Sequence, residues 1–143
     1  MNYNFKIHKE GKGYWAECVE LKGCNTEGRS LTDLQKNMQE ALNLFLDEPG
    51  DSKIQFSFPK QNLKGKNIVQ VPVKPKVAFA FCLRQLRLNH HMTQKEVAQK
   101  MGFKNIYSYQ RLESSKTANP EFLTLLEIKK VFPEFDLDEL LSA

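Results

Sequence analysis

Thr93-Gln94-Lys95-Glu96-Val97-Ala98-Gln99-Lys100-Met101-Gly102-Phe103-Lys104-Asn105-Ile106-Tyr107-Ser108-Tyr109-Gln110-Arg111-Leu112-Glu113 is the stretch on which the fold of this chain turns. Thr93 followed three residues later by Glu96 is a capping-box start for a helix. Gly102 supplies the left-handed residue that ends it. After Phe103-Lys104-Asn105, a second helix runs from Ile106 to Glu113, with Tyr109 and Leu112 as its inward anchors. Ala98 is small where the two helices cross. Upstream, Phe79 to Leu88 predicts a helix with Phe79, Leu83 and Leu86 inward. Downstream, Asn119-Pro120 opens another, carrying Phe122, Leu125, Leu126, Lys129 and Val131 with its leucines inward. Asp136 caps a short last helix, Leu137 to Leu141. The expectation for residues 77–143 is an all-α domain of five helices.

The chain changes character near residue 60. Tyr3, Phe5 and Ile7 alternate with Asn4, Lys6 and His8, the period of a half-buried strand. Gly11 and Gly13 bracket a hairpin turn, and Tyr14 to Val19 is the return strand. Cys24 to Gly28 is a short third strand. Ser30 then caps a helix whose apolar stripe is Leu31, Leu34, Met38, Ala41, Leu42 and Phe45, and Pro49-Gly50 stops it. Ile54, Phe56 and Phe58 alternate as a fourth strand. The predicted class is therefore α+β, β-β-β-α-β followed by helices. The expected divisions are a domain at 1–60, a linker at 61–76 and a helical domain at 77–143. Within the linker, Asn67 to Val71 reads as one further edge strand, a candidate for pairing with a second copy.

The whole chain has 143 residues, 21 Lys plus Arg against 17 Asp plus Glu, and a net charge of +4. That balance is uneven: residues 76–119 hold eight basic side chains against Glu96 and Glu113, whereas residues 120–143 are acidic. Apolar residues at 41% and charged residues at 27% describe a globular protein and exclude a disordered one. No apolar run approaches the roughly 18 residues of a membrane span, and Met1 to Lys6 lacks a signal-peptide core. Cys18, Cys24 and Cys82 have no paired metal spacing and read as free thiols in a reducing compartment. A cytoplasmic protein with no membrane partner and no cofactor is expected.

Leu83-Arg84-x-Leu86-Arg87, Thr93-Gln94-x-x-Val97-Ala98-x-x-x-Gly102, Tyr109-x-x-Leu112-Glu113, Asn119-Pro120 and Leu123-x-x-Leu126 together resemble the helix-turn-helix domain of the Cro and phage-repressor type. Gly102 to Glu113 is one residue longer than the usual spacing. The resemblance implies that Lys104, Asn105, Tyr107, Ser108 and Arg111 meet DNA from the second helix of the pair. Gln94 and Lys95, at the start of the first, meet the phosphate backbone.

Gly13-Tyr14-Trp15-Ala16, Leu21-Lys22-Gly23-Cys24-x-Thr26-x-Gly28-x-Ser30-Leu31, Asn37 and Glu40-Ala41-Leu42 resemble the HicB antitoxin domain. This implies a truncated RNase H-like fold that binds a HicA-like mRNA-cleaving toxin, with Tyr14, Trp15 and Glu17 as candidate toxin contacts. It also implies a DNA-binding module that represses the toxin–antitoxin operon as a homo-oligomer, dimer or tetramer. An RNase H site needs several carboxylates converging on a metal, and Tyr3–His8 and Ile54–Phe58 carry none. Glu17 and Glu27 read as solvent-facing strand residues, and His8, His90 and His91 as surface histidines. No catalytic or metal-ligating residue and no enzymatic activity are therefore expected. The alternative is a stand-alone dimeric transcriptional repressor whose first 60 residues dimerise or bind a small ligand.

Overall fold

The structure, a computed structural model, describes residues 1–142. It is α+β, with four strands and six helices among the described residues. Two compact units divide the chain: Met1–Leu46 with Phe56–Lys74 and Ser142, and Asp47–Gln55 with Pro75–Leu141. These units cut the chain differently from the expected boundaries at 60 and 76, because residues 47–55 pack with the later helices.

In the first unit, β1 (Asn2–Glu10), β2 (Gly13–Cys18), β3 (Asn25–Gly28) and β4 (Ile68–Pro72) form an antiparallel sheet in the order β3-β2-β1-β4. Alternation sends Tyr3, Phe5, Ala16 and Cys18 inward, where they are buried, as are Leu34, Met38, Leu42 and Leu46 of α1 (Leu31–Leu46). The Ser30 hydroxyl accepts the Asp33 N–H at 3.1 Å and so starts α1. Gly28 lets that start lie close on β3: a Cβ there would stand 2.6 Å from the Leu34 nitrogen.

The fourth strand is Ile68–Pro72, and the expected strand at Ile54, Phe56 and Phe58 does not form. The local pattern at 54–58 is strand-like, but side chains take up its backbone groups. The Tyr3 hydroxyl donates to the Ser57 carbonyl at 2.8 Å, and the Phe56 ring packs on Phe45 with centroids 5.2 Å apart.

β4 lies at a sheet edge, and that edge is largely closed. Val73 N–H to Met1 C=O (3.0 Å) and Ile7 N–H to Asn67 C=O (2.8 Å) fix the alternation, so Ile68, Gln70 and Pro72 face away from β1. Pro72 has no N–H, and its carbonyl accepts Gln39 Nε2 at 3.3 Å. Ile68 N–H turns back onto Gly65 C=O at 3.3 Å. Gln70 is left with both backbone groups outward and Ile68 with its carbonyl, a short run at this edge.

The second unit contains α2 (Pro75–Asn89), α3 (Gln94–Lys100), α4 (Ile106–Gln110), α5 (Phe122–Val131) and α6 (Leu137–Leu141). Pro75 occupies the first position of α2, where a missing N–H costs nothing. Every residue of α2 from Val77 to Arg87 is buried, and Val97, Tyr109, Ile128 and Phe132 are buried on the later elements. Buried Arg84 donates to the Glu48 carbonyl at 3.0 Å, and buried Gln85 to the Ile54 carbonyl at 3.3 Å. These bonds tie residues 47–55 into this unit. On α5 the outcome departs from expectation: Leu126 points outward with Phe122 and Leu123, Leu125 is half-buried, and Ile128 is the buried residue. No helix among the described residues is long and apolar enough to cross a membrane.

Candidate functional site

α3 and α4 form a tight helical pair with every junction satisfied. The Thr93 hydroxyl accepts the Glu96 N–H at 3.1 Å, and the Glu96 carboxylate accepts the Thr93 N–H at 3.1 Å. At the other end Gly102 has φ +77°, Gly102 N–H bonds to Gln99 C=O (3.0 Å) and Phe103 N–H to Ala98 C=O (2.9 Å). This is a Schellman turn. Asn105 then caps α4 by accepting the Ser108 N–H at 3.1 Å. Thr93→Ala, which removes half of the capping box, is expected to lower stability by about 1 kcal/mol in thermal unfolding.

Buried Val97, Ala98, Tyr109 and Leu112 lock the pair to the core. Tyr107 and Arg111 stand one turn apart on the side of α4 away from Tyr109, both exposed. Lys95 and Lys104 are also exposed. None of these four side chains forms a hydrogen bond or ion pair among the described residues of the unit. Asn105 and the half-buried Ser108 are bonded to each other at the start of α4.

Gln94 is placed differently from the sequence reading. Its amide nitrogen donates to Glu113 Oε2 at 2.8 Å and to the Gly50 carbonyl at 3.1 Å, and its oxygen accepts Gln110 Nε2 at 3.0 Å. Its side chain therefore serves a buried network centred on Glu113. That carboxylate also accepts Arg87 Nε at 2.6 Å, Arg87 Nη2 at 3.1 Å and the Tyr109 hydroxyl. The charge count of this stretch is altered accordingly. Arg84 and Arg87 are buried and Glu113 neutralises one of them. Lys76, Lys95, Lys100, Lys104, Arg111 and Lys116 remain outward, against Glu96. The outward side chains of residues 76–119 are still mostly cationic, which suits a polyanion, while Asp47, Glu48 and Asp51 of the same unit line a recess with Gln94 and Lys116.

In the first unit, register splits the candidate partner contacts between two faces. Trp15 and Glu17 share the open face with His8 and Glu27, whereas Tyr14 shares the α1 side with Ala16. The His8 ring stacks on Trp15 at 4.1 Å, with an interplanar angle of 15°, and its Nε2 lies 3.6 Å from Glu17. Tyr14 and Trp15 come together at the hairpin end of the sheet, where a recess of about 850 Å³ also touches Glu10, Glu27, Arg29 and Asp33. Glu17 does not line it. Asn37 Nδ2 donates to the Glu27 carbonyl at 2.8 Å and so ties α1 to the β3 edge.

The three cysteines are free and buried. Cys18 and Cys24 share a hydrogen bond that raises the first thiol and lowers the second. Burial, reinforced by the charges of Glu139, Asp136 and Glu134, pushes Cys82 up to about 12.

No protein-family model matches the chain. Over 80 residues, 56% of this chain, it is 34% identical to a UPF0150 protein of Helicobacter pylori strain J99, and the match spans 100% of that relative.

Proposed function

Because the chain belongs to the UPF0150 family, a HicB-like family, we propose that it is the antitoxin of a type II HicA–HicB toxin–antitoxin pair. It is a binding protein with two tasks and no enzymatic activity. Its sheet unit covers a small mRNA-cleaving toxin and excludes RNA sterically. Its helical unit binds operator DNA through the helix-turn-helix of α3 and α4 and represses the operon. Family membership carries the first task. The second is supported by the cationic, capped α3–α4 pair, which presents Lys95, Lys104, Tyr107 and Arg111 outward. Because one short helix contacts few base pairs, the active species is a dimer that offers two copies of α4 about 34 Å apart to successive major grooves.

The test has two arms. Co-expression with a small, basic HicA-like toxin should relieve that toxin's growth arrest, and the two should copurify at a fixed ratio. The chain should also shift its own promoter DNA, with an affinity that falls steeply with salt. Lys95→Ala and Lys104→Ala should each reduce the slope of log K against log salt by about one. A promoter shift without any toxin rescue leaves a stand-alone dimeric repressor with an N-terminal dimerisation or ligand domain. Rescue without a shift removes the repressor role.

A further inference from the structure

Cys18 and Cys24 face each other across the end of the sheet. The β2–β3 register pairs Glu17 with Asn25, and one step further sets Cys18 directly opposite Cys24. The ladder continues through that step, since Cys18 N–H donates to Cys24 C=O at 2.9 Å. Directly opposite residues point to the same face. Both thiols are buried there and share a hydrogen bond. At a hydrogen-bonded antiparallel position the Cα atoms lie about 5.5 Å apart, inside the roughly 4.4–6.8 Å window that a disulfide spans. The connection between the two is a tight turn: Cys24 N–H returns to Leu21 C=O at 3.1 Å, and Gly23 has φ +93°. These two bonds hold the Cys24 backbone just ahead of the four-residue edge strand β3, and its neighbours Gly23 and Asn25 are exposed. Local opening of such an edge admits a small solute.

We propose that Cys18 and Cys24 are a redox couple, a dithiol that hydrogen peroxide converts to a cross-strand disulfide. This goes beyond the antitoxin reading and does not depend on it. Transient, redox-sensing disulfides are the kind found where thiols are otherwise kept reduced. Cys24 accepts the shared hydrogen bond, which holds it below the usual thiol value, so its sulfur is the one that attacks. It takes one oxygen of the peroxide: the O–O bond breaks, a sulfenic acid forms on Cys24, and a water leaves with the thiol's proton. The Cys18 sulfur then displaces that hydroxyl: the S–S bond forms, the S–O bond breaks, and a second water carries off the Cys18 proton. Two thiols and one peroxide become one disulfide and two waters. The surrounding structure tolerates both states. Cys18 Sγ lies 3.6 Å from Glu20 Oε2, but that carboxylate also accepts Asn4 N–H at 3.1 Å, Lys60 N–H at 3.0 Å and Asn4 Nδ2. Cys82 of α2 is the internal contrast, a thiol that burial pushes up to about 12.

The test treats the reduced full chain with hydrogen peroxide, then unfolds it and alkylates it with N-ethylmaleimide. Intact mass should show one alkylated cysteine, Cys82, where the untreated chain shows all three. Trypsin cuts after Lys12, Lys22 and Arg29, so peptides 13–22 and 23–29 should be recovered joined and should separate after dithiothreitol. The circular dichroism spectrum of the oxidised chain should match that of the reduced one. In Cys18→Ser the sulfenic acid on Cys24 has no thiol to close on and should be trapped by dimedone. In Cys24→Ser, oxidation of Cys18 should slow at least about tenfold. Three alkylated cysteines after peroxide overturn the proposal, as does oxidation that consumes Cys82 as fast as the pair. A bond that forms between two chains, seen as a doubled mass on a non-reducing gel, overturns it as well. Dimedone capture on Cys18 of Cys24→Ser, with none on Cys24 of Cys18→Ser, overturns the order of attack. None of these readouts involves toxin or DNA, so they stand apart from the antitoxin reading.

Discussion

Replacing Arg87 with methionine lowers the stability of the helical unit by about 3–5 kcal/mol, read as the loss of helical circular dichroism in denaturant. Glu113 is 2% exposed and Arg87 6%. Without the guanidinium, the carboxylate keeps only the neutral donors Tyr109 and Gln94. A buried charge without its counter-charge costs far more than the pair contributes. The double variant Arg87→Met with Glu113→Leu should therefore be markedly more stable than the sum of the single losses implies. The same network predicts a pH dependence. Burial, and then the Glu113 carboxylate, pushes the Tyr109 hydroxyl far above its ordinary value. A raised folded pKa gives stability that is full below the unfolded value and falls as pH rises past it. Above pH about 10 the unfolded tyrosine ionises while the folded one does not, a loss approaching 1.4 kcal/mol per pH unit. Tyr109→Phe should remove that part of the alkaline slope even though it also loses a hydrogen bond.

Gly28→Ala should cost the sheet unit about 3 kcal/mol, the upper end of what overpacking usually costs. The added Cβ would stand 2.6 Å from the Leu34 nitrogen and 2.8 Å from its Cα. Both are backbone atoms that no rotamer change can move. Leu34 is fully buried, and its N–H bonds to the Ser30 carbonyl at 2.9 Å, so relief requires the start of α1 to lift off the sheet. Emission from Trp15, the one tryptophan in the chain and a residue of β2, reports this unfolding. Gly11→Ala is the control: nothing lies within 4 Å of its Cβ position, so only the left-handed backbone at φ +57° is strained. That substitution should cost about 1–2 kcal/mol.

Features encoded locally were legible in the sequence. The Thr93–Glu96 box, Gly102, the Ser30 cap and the hairpin glycine at 11 each act within a few residues, so spacing alone identified them. The fourth strand was not, because 54–58 and 68–72 alternate equally well. Only the partner strand and the side chains that satisfy the first segment distinguish them. Nor can periodicity tell which side of α5 is buried when Leu125, Ile128 and Val131 on one side are matched by Phe122, Leu123 and Leu126 on the other. Counting charge treated Arg84, Arg87 and Glu113 alike as surface, although all three lie inside. Gln94 went the same way: its place at a helix start favours phosphate, but the nearby Glu113 carboxylate, nineteen positions on in the chain, takes its amide.

The route of the chain limits how freely the two units can be exchanged. The segment 47–55 leaves the sheet unit between α1 and β4 and contributes to the helical one. A gene fusion or truncation that cuts once near residue 75 would deliver five helices without their strap. Buried Arg84 would lose the Glu48 carbonyl, Gln85 that of Ile54, and Ser115 the Asp47 carboxylate. Recombination that shuffles this helical unit among such proteins must therefore transfer two separate stretches of coding sequence, or else rebuild the strap within the incoming one.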